Sequence, residues 1–200
     1  MEKNTTNIEI LKVLLKQFTI KWTITSLAKE LNISRVGIWK VLKKLEAERL
    51  VLLSHLGEGK TSIFNINLNW ENSILEKNLS LILTEDAFKN QRWLNNFKEL
   101  EDKLDFLILY GSIIHYPKEA NDIDILGIVS NKNKFRKIEE TTQRIQKTQI
   151  KKIHSENFTQ TEFKEEIRKP NKIFIDAIKK GAVIFGQEKF IKFIKEVYLK

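Results

Sequence analysis

The 200 residues contain no cysteine, which excludes a disulfide framework and any thiolate metal site. Histidine is scarce: His55, His115 and His154 are scattered, against a His-rich zinc centre. Proline occurs twice and glycine seven times, and nowhere do they gather into a linker, so structured chain rather than a floppy tether should join any two domains. No apolar run approaches membrane-spanning length, and the opening MEKNTTNIEILK is polar and mixed in charge, unlike a signal peptide. A soluble, cytoplasmic protein with no membrane partner is expected. No internal repeat or low-complexity tract is visible.

What is present is length enough for one domain or two small ones, each burying a core. Lys and Arg number 35 against 26 Asp and Glu, a formal charge of +9. That balance suggests polyanion affinity, although Lys-rich chains can also be basic for solubility alone.

Thr6-Asn7-Ile8-Glu9 has capping-box spacing, and Ile10, Leu11, Leu14, Leu15 and Phe18 recur at helical spacing behind it, predicting a helix to about Gln17. Thr25 is a candidate cap for a second, short helix presenting Leu27, Ala28 and Leu31. Asn32-Ile33 makes a tight turn, and Ser34 caps a third helix whose inward residues are Ile38, Leu42 and Leu45. Val51 to Ser54 and Ser62 to Leu68 read as strands joined by Gly57-Glu58-Gly59-Lys60. The text SLAKELNISRVGIWKVLKKLEAERLV resembles winged helix-turn-helix regulators, with the hairpin as the wing. If the apolar residues point inward, Ser34, Arg35, Val36, Gly37, Trp39, Lys40 and Lys43 are left for double-stranded DNA, and Lys60 at the wing tip for backbone or minor groove. The alternative is a domain used for protein contacts, with the lysines as a solvated face.

From 70 to 103 a helical connector is expected, with Leu75, Leu79, Leu81, Ile82 and Leu83 as an apolar patch and a fresh helix start at Thr84-Glu85-Asp86. Trp70 and Trp93 read as core. The segment Ile74 to Leu83 is also the candidate surface of a homodimer.

The third part, 104–200, is organised around Asp105 to Ser130. Phe106 to Tyr110 reads as a buried strand stopped by Gly111-Ser112. Asp122-Ile123-Asp124 opens a second strand, on which the two carboxylates share one face while Ile123 and Ile125 pack inward. Adjacent carboxylates repel, and a cation relieves the repulsion; the plainer alternative is a hairpin whose Asp pair is merely solvated. Gly-Ser at a strand end followed by Asp-x-Asp on the next resembles the minimal nucleotidyltransferases of the DNA polymerase β superfamily. The short terminal VIFG strand after a helix and Gly is similar too.

That resemblance implies an α+β fold: winged helix at 1–69, connector, and a nucleotidyltransferase-like mixed sheet with flanking helices at 104–200. It further implies NTP held through Gly111 and Ser112, Mg²⁺ or Mn²⁺ held by Asp122 and Asp124, and transfer of a nucleoside monophosphate. The chain departs from the pattern in having Ile113, Ile114, His115 and Tyr116 after Gly-Ser, where active members often carry a small residue, a basic residue and Gly. In the stretch Thr148 to Phe158, where a third carboxylate is expected, only Glu156 is acidic, and basic Lys151 and Lys152 sit where the metal site would prefer an acid. A DNA-binding transcriptional regulator whose second domain binds NTP and metal with catalysis slow or lost is the leading expectation. An active transferase modifying a protein or small molecule, and a partner-binding module such as the antitoxin half of a toxin pair, remain open.

Overall fold

The computed structural model of the protein describes residues 5–56, 63–169 and 172–199. They divide into two compact units, Met1–Ile82 and Leu83–Lys200, each mixed in helix and strand.

In the first unit, α1 (Thr5–Lys16), α2 (Ile24–Glu30) and α3 (Arg35–Ala47) accompany a three-stranded antiparallel sheet. Its strands β1 (Trp22–Thr23), β2 (Val51–Leu56) and β3 (Ile63–Leu68) lie in the order β1-β3-β2. Helix α1 buries Ile10, Leu11, Leu14 and Leu15, the i, i+4 face read from the sequence. It starts at Thr5, so Thr6 is helical rather than a cap. The second helix is capped by Thr23, not Thr25: Thr23 is extended because it pairs with Asn65 in the sheet, and Ser26 completes a reciprocal capping box with it. Asn32 turns the chain with φ 53°, and Ser34 accepts the Gly37 N–H to cap α3. Ile38, Leu42 and Leu45 are fully buried, worth roughly 1.5–3 kcal/mol each.

The unit boundary falls within α4 (Ser73–Lys89), which is continuous through Thr84–Asp86. No helix restarts there, because Leu79, Leu83 and Ala87 keep one buried face in phase. Most of the apolar segment expected to be shared between protomers is buried in the chain itself. Leu75, Leu79, Ile82 and Leu83 are all inside, which leaves Ile74 and Leu81 exposed.

The second unit is a four-stranded mixed sheet in the order β6-β5-β4-β7, built from β4 (Phe106–Tyr110), β5 (Asp122–Val129), β6 (Lys152–Thr159) and β7 (Ala182–Phe185). Strand β4 is antiparallel to β5 and β7, while β5 and β6 are parallel across α7 (Phe135–Gln146). One face of the sheet packs Leu107, Leu109, Ile123 and Ile125 with Ile138 and Ile145 of α7 and with Trp93 and Phe97 from α5 (Gln91–Asn96) and the turn after it. The other face carries an aromatic cluster of Phe106, Phe158, Phe163, Phe174, Phe190 and Phe193, drawing on α8 (Gln160–Arg168), α9 (Ile173–Lys180) and α10 (Gln187–Tyr198). Helix α8 is capped by Thr159, in a capping box with Glu162. Between α7 and β6, Thr148 to Lys151 is turn: the α7 C-terminus unwinds through Thr148 N–H to Ile145 O and Gln149 N–H to Gln146 O. Among the described residues no helix is long and apolar enough to cross a membrane.

Candidate functional site

Two regions carry the residues singled out from the sequence. The first is the outer face of α3, where Arg35, Val36, Lys40 and Lys43 are exposed and Val36 is 65% so. Arg35 and Lys40 make no ion pair among the described residues, which leaves both charges available. Lys43 instead bonds Glu46 at 2.7 Å and lies 4.7 Å above the Trp39 ring. Trp39 is half-buried, its ring 5.1 Å from that of Phe64 on β3, so it ties α3 to the hairpin as well as edging the outer face. Gly37 has a packing reason close at hand: a Cβ there would meet Ile33 Cγ2 at 3.0 Å and the capping Ser34 Oγ at 3.1 Å. Lys60 lies outside the described residues.

The second region is read from the register of the aromatic face of the large sheet. Phe106, Ile128 and Phe158 form one row across three strands, and Ile108, Leu126 and Glu156 the next. Then come Tyr110, Asp124 and His154, and finally Asp122 beside Lys152. The face therefore grades from aromatic core to ionisable end. The alternation i, i+2 puts both aspartates there while Ile123 and Ile125 are buried behind them.

Between the carboxylates stands His154, whose Nδ1 is 3.4 Å from Asp122 Oδ2 and 3.4 Å from Asp124 Oδ1. One ligand-capable atom from each of the three residues lies within 4.8 Å of the others. Glu156 is one row deeper on the edge strand and exposed, outside this group. Burial, then repulsion from Asp122, raises the Asp124 pKa against the opposing pull of His154. Burial, with Glu156 and Asp124 nearby, pushes the Tyr110 hydroxyl up to about 12, so it stays a neutral donor. Lys151, expected near the site, bends its ammonium to the Ala120 carbonyl; Lys152 is exposed opposite Asp122.

Gly111 ends β4 with φ 79°, and a Cβ there would fall 2.3 Å from Asp124 Oδ2. The Gly-Ser bend thus lies directly against the Asp pair. Ser112 is exposed at the start of the one-turn α6 (Ser112–His115). His154 is the member of the site that the sequence reading missed. Its signal was the two-residue alternation Lys152, His154, Glu156, legible only with the strand start placed at Lys152.

Residues 7–59 match the family described as HTH domain. With Ser34 capping an α3 whose outer face is basic, the chain carries an N-terminal helix-turn-helix DNA-binding domain. No curated protein and no solved structure matches the chain.

Proposed function

We propose that the protein is a DNA-binding transcriptional regulator whose second unit is nucleotidyltransferase-like and binds an NTP through a divalent ion. The observation that supports this most is the row Tyr110–Asp124–His154 with Gly111 closed against Asp124. It brings the Gly-Ser bend and the Asp pair, ten to thirteen residues apart in sequence, side by side.

The donor set fits a divalent cation. Two carboxylates that repel, one with its charge disfavoured by burial, gain when a cation arrives. Asp122 and Asp124 would hold the ion, and Ser112 and the Gly111 backbone would face the phosphates. A bound ion would supply neutralisation of triphosphate charge. Tyr110, held neutral, offers a hydrogen bond at the same end. Glu156 stands away from the three-residue group and a third carboxylate is lacking within it, so the reading is one of binding with slow or no nucleotidyl transfer.

A two-fold operator asks for a two-fold protein, and Ile74 and Leu81, the exposed apolar residues of the segment Ile74 to Leu83, are those a homodimer would cover. The test is calorimetry of ATP and GTP with and without divalent ion. Binding that requires metal and is abolished in Asp122→Ala and Asp124→Ala is expected. Binding of NTP unchanged in both variants would refute the reading.

A further inference from the structure

The third member of the site is a nitrogen donor, and that bears on which ion the site takes. We propose that His154 Nδ1 is a direct metal ligand and that the site selects a borderline divalent transition ion, of the Co²⁺, Fe²⁺ or Zn²⁺ kind, over Mg²⁺. This rests on the reading that Asp122 and Asp124 hold a divalent ion, and goes further by assigning the ion's class and its third ligand.

An imidazole N–H bonding one carboxylate settles about 2.9 Å from a single oxygen. Here Nδ1 is equidistant, 3.4 Å from an oxygen of each aspartate. Ligands about 2.0–2.1 Å from one metal are separated by roughly 2.9 Å in an octahedron and about 3.4 Å in a tetrahedron. The spacing of the nitrogen from both oxygens is thus that of neighbouring corners around a single ion. The placement is built into the fold, since the parallel register sets His154 directly beside Asp124.

Mg²⁺ demands oxygen ligands in a near-ideal octahedron and gives up water reluctantly. Imidazole suits Zn²⁺, Fe²⁺ and Ni²⁺, and affinity for such mixed sites rises along the first-row series from Mn²⁺. Two carboxylates and one imidazole leave further positions open for water or ligand oxygens. A third carboxylate in place of His154 would suit Mg²⁺ better.

The experiment titrates the full-length protein with Co²⁺, followed by its visible absorption, with Zn²⁺ in competition and with Mg²⁺ by calorimetry. Wild type should bind Co²⁺ at least about 100-fold more tightly than Mg²⁺. Since loss of a mere supporting partner already costs about 10–100-fold, His154→Ala should weaken Co²⁺ by at least about 100-fold. It should leave Mg²⁺ within about threefold. His154→Asp should narrow or reverse the preference, and circular dichroism checks that each variant is folded. Equal Co²⁺ and Mg²⁺ affinity in wild type, or unchanged Co²⁺ binding in a folded His154→Ala, overturns the inference while leaving a metal-holding Asp pair in place. Failure of every ion to bind, or binding untouched by Asp122→Ala and Asp124→Ala, overturns both.

Discussion

Substituting Gly111 by alanine probes the site without removing any of its polar atoms. The residue sits at φ 79°, and its new Cβ would be 2.3 Å from Asp124 Oδ2. With ψ at −165° this is a backbone region that essentially only glycine occupies, and it costs another residue roughly 1–3 kcal/mol. Relief of the clash to an ordinary contact of about 3.4 Å requires the carboxylate to retreat by about 1 Å. That retreat moves the carboxylate whose Oδ1 lies 3.4 Å from His154 Nδ1, and so disturbs the spacing on which the proposed cation binding depends. The second unit should lose roughly 1–3 kcal/mol, and metal affinity should fall at least tenfold, while duplex binding stays unchanged. Urea unfolding followed by tryptophan fluorescence gives the first quantity and Co²⁺ titration the second. Adding Asp124→Ala removes the clash, so Gly111→Ala should cost less in that background, a coupling of the sign expected for touching groups. Wild-type metal affinity in a folded Gly111→Ala protein would refute the reasoning.

Other outcomes follow from single contacts. Trp39→Ala removes both the Phe64 contact and the Lys43 cation–π pair and should destabilise the first unit by roughly 1–2 kcal/mol; Trp39→Phe should recover most of this in thermal unfolding, which separates a packing role from a DNA contact. Asp124→Asn should raise the melting temperature of the metal-free protein at pH 7. The folded pKa is raised above 3.8, so ionised Asp124 costs stability as pH climbs through that range, and the gain from Asn should vanish at pH 3. Thr159→Ala should cost about 1 kcal/mol as loss of the α8 cap. Glu162, which reaches back to that cap and pairs with Lys132, has its pKa lowered from 4.5 to about 2. Its contribution is present above 4.5 and lost as pH falls towards 2, so wild type and Glu162→Gln should converge in stability at pH 2. Light scattering should give twice the monomer mass, reduced by Ile74→Asp with Leu81→Asp.

The helix-turn-helix was legible because its signals are local: Ser34 for the cap, Asn32 for the left-handed turn, and Ile38, Leu42 and Leu45 for the buried stripe. The same locality failed at Thr25, since a two-residue strand pairing Thr23 with Asn65, some forty residues away, decides where α2 begins. Asp122 and Asp124 were legible as a pair from strand alternation alone. His154 was not, because its place beside Asp124 is set by a parallel register between strands separated by a helix, and no local pattern encodes register. Trp39 shows the same limit from the other side: its position on the outer face could be read from helical spacing, but its contact with Phe64 of the hairpin could not.

DNA binding by the first unit is the claim on which the rest depends, and a salt series on duplex binding tests it most directly. Fluorescence anisotropy of a labelled duplex from 50 to 200 mM KCl would give log affinity falling linearly with log salt. Lys40→Ala, which removes an exposed charge of α3 with no ion pair among the described residues, should lower the slope by about 1 and weaken all sequences alike. Arg35→Ala should in addition relax any preference among sequences. Undetectable binding at low salt, or a slope near zero that neither variant changes, would contradict a DNA-binding regulator.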